Sequence, residues 1–205
     1  MPKIRERRWA RRLLAVLGWR VDVVLPPGPK CVVAVYPHTS NWDFFVGYLA
    51  KLACGLPVHF VGKHTIFRWP FGPILRRMGG IPVDRRHPGG LLPQLVREME
   101  ARPWMWLAIA PEGTRAYVDH WKSGFYRLAV DAKVPIGLAF IDWRTRVVGL
   151  TTYLEPTGDE AADLARIRAE YEGKAGKRPE LAGAIRFRTR SAPSPRPSPG
   201  SGEIA

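Results

Sequence analysis

Residues 31–47 read CVVAVYPHTSNWDFFVG. A continuous apolar run, Cys31–Pro37, leads straight into His38, and Asp43 opens a second apolar run five residues later. An unbroken apolar stretch of strand length, bounded by PPGPK before it and a polar loop after it, marks a strand buried on both faces. Ser40 and Asn41 are N-cap residues, so the second run predicts a helix from about Asn41 to Cys54. A carboxylate and an imidazole placed where a buried strand hands over to a helix call for a chemical explanation.

The same alternation continues along the chain. Short strands are expected at Leu56–Val61, at IPVD (81–84), at WMWLAIA (104–110), at VPIGLAFI (134–141) and at TRVVGLTTYL (145–154). Pro82 makes the second of these an edge or a strand start. Helices are expected over Gly89–Ala101, Lys122–Ala132 and Asp159–Tyr171, with a turn or two in the Pro- and Gly-punctuated RWPFGPILRRMGG. Buried strands alternating with helices predict an α/β layered domain with a largely parallel or mixed central sheet flanked by helices. Ligand sites in such sheets lie beyond the carboxyl ends of the strands. Three polar clusters fall there: His38, Asp84–Arg86 and Glu112–Arg115.

The chain has 205 residues and a net charge of +14, with 32 Lys and Arg against 18 Asp and Glu. This length suits one core, and the charge draws the protein to polyanions, either nucleic acid or anionic headgroups. Eight tryptophans beside that charge favour a membrane interface, although Trp also fills cores. No run of 18 apolar residues is present to span a bilayer, and LLAVLGW lacks a cleavage site for a signal peptide. Residues 1–24 read as a basic amphipathic helix. Trp9, Leu13, Val16 and Leu17 cluster on one side and Trp19 closes it; such a helix suits a membrane interface or packing on its own domain. Residues 25–188 form the folded domain, and the Pro/Ser-rich residues 189–205 a tail expected to be disordered. Cys31 and Cys54 belong to no C-x-x-C pair and read as buried thiols.

If His38 sits in the loop and Asp43 on the first helical turn, the carboxylate fixes one imidazole nitrogen and leaves the other as a general base. A histidine that merely packs would fit the same letters. No G-x-S-x-G elbow supplies a nucleophile, so the economical chemistry is activation of a substrate hydroxyl. His59 and His64 straddle a strand end and a loop without evident carboxylate partners, so no metal is expected. In APEGTR, the backbone around Gly113, the Thr114 hydroxyl and the Arg115 fork form an oxyanion or phosphate cradle, with Glu112 orienting Arg115 or touching an acceptor hydroxyl. An ordinary turn with a salt bridge reads the same way. Arg85 and Lys63 add positive groups near that edge, and Arg76, Arg77 and Arg86 are either solvated or face lipid phosphate. Neither a phosphate-binding G-x-x-x-x-G-K-[ST] loop nor a dinucleotide G-x-G-x-x-G is present, and no aromatic–basic strand pattern points to a specific nucleic acid.

Four blocks in order, HTSNWD, GGIPVDR, PEGTR and VPIGLAF, resemble the glycerolipid acyltransferases of the lysophosphatidate (1-acylglycerol-3-phosphate) acyltransferase superfamily, over roughly residues 28–155. Pro82 stands where that family commonly has a bulky apolar residue, and Ala116 where Ser is frequent. The resemblance implies that His38 is the general base, Asp43 its orienting carboxylate, and Glu112, Gly113, Thr114 and Arg115 with Arg85 and Lys63 the acceptor-binding set. It implies acyl transfer from acyl-CoA or acyl carrier protein to the hydroxyl of lysophosphatidate or a similar lysophospholipid. No cofactor is needed beyond the thioester co-substrate, and the setting is the cytoplasmic face of a membrane with peripheral attachment. An acyltransferase for a different lipid or a non-phosphate acceptor, or a catalytically inactive basic lipid-binding module, are the alternatives. Phe44, Phe45, Phe67 and Trp69 suit either an acyl tunnel or core packing.

Overall fold

The structure is a computed structural model and describes residues 5–83 and 91–188. Among the described residues seven strands form one sheet in the order β1-β7-β6-β2-β5-β3-β4. They are β1 (Arg20–Val23), β2 (Lys30–Tyr36), β3 (Val58–Lys63), β4 (Gly80–Val83), β5 (Met105–Ile109), β6 (Ile136–Asp142) and β7 (Val147–Leu154). β6, β2, β5, β3 and β4 run parallel; β7 lies antiparallel to β6, and β1 parallel to β7. The sheet is therefore mixed and largely parallel, as the alternation of buried strands and helices predicts. The helices are α1 (Arg8–Val16), α2 (Asn41–Ala53), α3 (Phe71–Arg77), α4 (Leu91–Ala101), α5 (Gly124–Ala132) and α6 (Glu160–Tyr171).

β2 lies at the centre of the sheet and shows why its residues are apolar throughout. Val32 and Ala34 point into a core shared with Leu128 and Ala129 of α5 and Leu164 and Ile167 of α6. Cys31 and Val33 point to the opposite face, beside Leu56, Trp106 and Leu150. On that second face α2 buries Val46, Ala50 and Ala53 against Ile141 and Val148, and α1 adds Ala10 and Leu14. Burying a leucine side chain such as Leu14 contributes roughly 2 kcal/mol.

Several boundaries differ from the sequence reading. The strand expected at 56–61 is Val58–Lys63, because Leu56 leaves the sheet to pack in the core below α2. The helix expected from Lys122 starts at Gly124, since the Lys122 N–H donates to Pro111 O and belongs to the preceding turn. Asp159 stands outside α6 as its N-cap, accepting from the N–H groups of Ala161 and Ala162. The N-terminal segment departs most. Its helix ends at Val16, and Arg20–Val23 pair with β7, which removes them from any single helix over 1–24. Trp19 is buried, edge-on to Trp143 at 4.9 Å, instead of rimming an interface. Cys31 is buried and Cys54 half-buried, both as free thiols. β4 is an edge strand, as Pro82 predicts. The tail expected at 189–205 lies outside the described residues.

Candidate active site

The loop after β2 is held from every side. Ser40 caps α2, its hydroxyl accepting from the Trp42 N–H at 3.2 Å in a capping box closed by Asp43. Asp43 sits in the first turn, where the helix dipole favours its charge. Its Oδ2 accepts from the N–H groups of Thr39 at 2.9 Å and Ser40 at 2.8 Å. Its Oδ1 accepts from the indole Nε1 of Trp143 at 2.7 Å. The carboxylate is 1% exposed, so these donors offset the large cost of burying a charge. The His38 Nδ1 lies 3.3 Å from Asp43 Oδ2, bringing together the two residues that open the sequence reading. Both residues line a cavity.

Glu112, in the turn after β5, is also 1% exposed. It does not pair with Arg115. Its Oε2 accepts from the His38 N–H at 2.9 Å and its Oε1 from the Gly183 N–H at 3.3 Å. Burial pushes the Glu112 carboxyl up to about 7 against the pull of those two N–H donors. Glu112 therefore ties the turn after β5 to the backbone of the histidine. Gly113 adopts a left-handed φ of +67°, which favours glycine, and its N–H closes the turn onto Ala110 O at 3.0 Å. The N–H groups of Thr114 and Arg115 have no acceptor among the described residues, and Arg115 is exposed with no ion pair there.

His38, Asp43, Lys63, Gly113, Thr114 and Arg115 all line one cavity of about 1080 Å³, with Glu112 buried behind it. Arg85 and Arg86 lie outside the described residues. Most of the remaining wall is apolar, with Val33 and Val35 of β2, Phe60 of β3, Ala108 of β5, Leu150 of β7 and Phe44 of α2, and Lys51 of α2 also lines it. Phe45 also lines the cavity. Phe67 instead packs in the core, and Trp69 is turned to solvent, so neither belongs to the lining. A half-open apolar cavity with a few convergent polar groups at one end is the usual form of a small-molecule site.

Three contributors escaped the sequence reading. Trp143 follows β6, and the Asp142 carboxylate fixes its turn by accepting from the Arg144 N–H and the Thr145 hydroxyl. Lys122 lines the cavity beside Gly113. The segment after α6 closes the back of the site: the Arg178 N–H donates to the Thr39 hydroxyl, the Tyr36 hydroxyl donates to Gly183 O, and the Lys177 ammonium lies 4.7 Å from the Trp143 ring centre. Position relative to a strand end is the signal that could have found Trp143. The irregular segment 172–187 carries no periodicity to read.

The sequence profile of the family described as Acyltransferase matches residues 24–137, more than half of the chain. No curated protein matches. Among solved structures, the crystal structure of the 1-acyl-sn-glycerophosphate (LPA) acyltransferase PlsC from Thermotoga maritima is similar, with a TM-score of 0.56 and 18% identity. The match covers 83% of this chain and 79% of that one, and at this identity the likeness shows the fold.

Proposed function

Since the chain belongs to the acyltransferase family, we propose that it is a peripheral membrane O-acyltransferase that moves a fatty acyl group from acyl-CoA or acyl carrier protein to the hydroxyl of lysophosphatidate or a similar lysophospholipid. One observation carries this reading. The His38–Asp43 pair lines a largely apolar cavity of about 1080 Å³, and a thioester carbonyl would lie beside the imidazole if its chain filled the apolar part.

In this mechanism His38 takes the proton of the acceptor hydroxyl as the oxygen attacks the thioester carbonyl. The tetrahedral intermediate collapses with cleavage of the carbon–sulfur bond, and the departing thiolate takes the proton back from the imidazole. Products are the new ester and a free thiol. Asp43 holds the imidazole and stabilises its protonated form, and Trp143, Thr39 and Ser40 hold Asp43. Arg115, Lys63 and Lys122 line the polar end with positive charge and suit an acceptor phosphate.

No described helix is long and apolar enough to cross a membrane. Attachment through α1 fits its surface: Ala10 and Leu14 are buried, whereas Trp9, Leu13, Val16 and Leu17 are exposed beside Arg8, Arg11 and Arg12. This surface faces the cytoplasmic leaflet in the proposed arrangement.

The acceptor assignment is tested with Arg115→Ala. Losing a charge-assisted contact to phosphate lowers kcat/KM for lysophosphatidate about 10- to 100-fold, and leaves a monoacylglycerol acceptor unaffected. Equal rates with both acceptors in the unaltered protein would instead identify an acceptor without phosphate.

A further inference from the structure

The segment from His64 to Arg77 carries an exposed apolar surface, most of which lies outside the cavity. A 3₁₀ turn (His64–Phe67) runs into α3, and four large apolar side chains, Ile66, Trp69, Phe71 and Ile74, stand exposed within nine residues. Trp69 is 88% and Phe71 66% exposed. Ordinary soluble surfaces show scattered apolar side chains, whereas a cluster this dense marks an interaction site. Arg68, Arg76 and Arg77 are exposed in the same segment and form no ion pair among the described residues. Residues 44–83 contain no Asp or Glu and five Lys or Arg, so no acidic side chain of this stretch offsets that charge.

The platform beneath these side chains is firm. Phe67 is buried, and its ring lies against Gly62 and Gly80, where a Cβ would collide with it. Gly72 is packed on the Phe67 carbonyl with no room for a side chain, and its N–H donates to Arg68 O at 2.7 Å. Trp69 and Phe71 are therefore presented outward by a turn that is fixed from within. Ile66 and Leu75, from the same segment, line the apolar cavity.

We propose that residues 66–77 seat in the headgroup–acyl boundary of an anionic bilayer. Trp69, Phe71 and Ile74 enter the apolar layer, and Arg68, Arg76 and Arg77 meet lipid phosphates. Exposed aromatic and aliphatic side chains beside arginines that form no ion pair among the described residues fit this occupant by charge and polarity together. The seat places the Ile66–Leu75 wall of the cavity at the membrane, so an acyl chain enters without crossing water. That consequence rests on the acyl-transfer reading, but the seat itself does not.

The test compares the full chain with Trp69→Ser/Phe71→Ser/Ile74→Ser and with Arg68→Gln/Arg76→Gln/Arg77→Gln. None of these six residues lines the cavity. Co-sedimentation uses phosphatidylcholine vesicles with and without phosphatidylglycerol. The apolar triple variant is expected to lose about tenfold or more in partitioning. The arginine variant is expected to lose the preference for anionic vesicles and its salt sensitivity. Unchanged melting curves and unchanged thiol release from a short-chain acyl-CoA without vesicles show that the variants fold. Unaltered partitioning in the apolar variant overturns the proposal, as does equal binding to both vesicle types by the unaltered protein. Retained vesicle binding with lost capture of acidic acyl carrier protein also overturns it and makes the surface a protein dock. If no protein releases thiol but partitioning falls as expected, the enzymatic reading fails and the seat stands.

Discussion

The loop after β2 and the turn after β5 meet at the bond from the His38 N–H to Glu112, yet they are built differently. In the first, Asp43 is buried and held by two backbone N–H groups and an indole, with the imidazole against it. In the second, Glu112 is anchored with equal care, but Thr114 and Arg115 beyond it are exposed, and Arg115 has no ion partner among the described residues. Under the proposed function the difference separates two tasks. A general base must keep one orientation through the reaction, and fixed donors do this without reorganisation. A group that receives a charged substrate is better left with its charge unspent. On this account, damage to the first region lowers kcat, and damage to the second raises the KM for the acceptor.

The largest expected effect is that of His38→Ala, which lowers kcat about 10²- to 10⁴-fold, the usual contribution of a general base. A stopped thiol-release assay at saturating substrates checks it. Asp43→Asn follows, with kcat down on the order of 10²-fold. Its amide places a donor among the donors from Thr39, Ser40 and Trp143, so a lower melting temperature should accompany the loss. Trp143→Phe keeps an aromatic ring on the Trp19 side, though a smaller one, and removes the N–H to Asp43. It should lower kcat about tenfold, as expected for one charge-assisted hydrogen bond, with the acceptor KM unchanged. A rise in KM with kcat intact would assign Trp143 to the acceptor and break the division of tasks.

The last effect is on stability, not on rate, and concerns the hinge between the two regions. Burial raises the Glu112 carboxyl from an ordinary 4.5 to about 7. Between those values the folded state binds more protons than the unfolded state, so stability falls as pH rises through that window and levels off above it. The span corresponds to roughly 3 kcal/mol at most. Urea unfolding of Glu112→Gln should show a shallower dependence across the same range. An unchanged slope would mean that Glu112 is not the group responsible.

Much of this was legible in the chain because local chemistry specified it. The apolar run of β2 requires burial on both faces, and Ser40 with Asp43 specifies a capped helix start; together they bring His38 to Asp43. The mixed sheet followed from the same alternation. Long-range partners were not legible. Trp143 lies 100 residues from Asp43, and Gly183 lies 71 from Glu112, and no local pattern couples such positions. The sequence leaves Glu112 orienting Arg115 or touching an acceptor hydroxyl; the buried carboxylate accepts from two distant backbone N–H groups and does not pair with Arg115. Strand β1 was missed because four residues that alternate exposed and half-buried, in an arginine-rich segment, give a weak strand signal. The N-terminal Trp residues read alike in sequence, yet Trp9 is exposed and Trp19 is core, since only the second faces Trp143.

The most direct measurement of the central claim is thiol release from long-chain acyl-CoA, and in parallel from acyl carrier protein, by the purified protein on liposomes with and without lysophosphatidate. The account predicts release that depends on the acceptor, stoichiometric formation of diacylglycerol phosphate, and loss of both with His38→Ala. Release that ignores the acceptor and persists in His38→Ala would contradict the assignment of this site as the seat of acyl transfer.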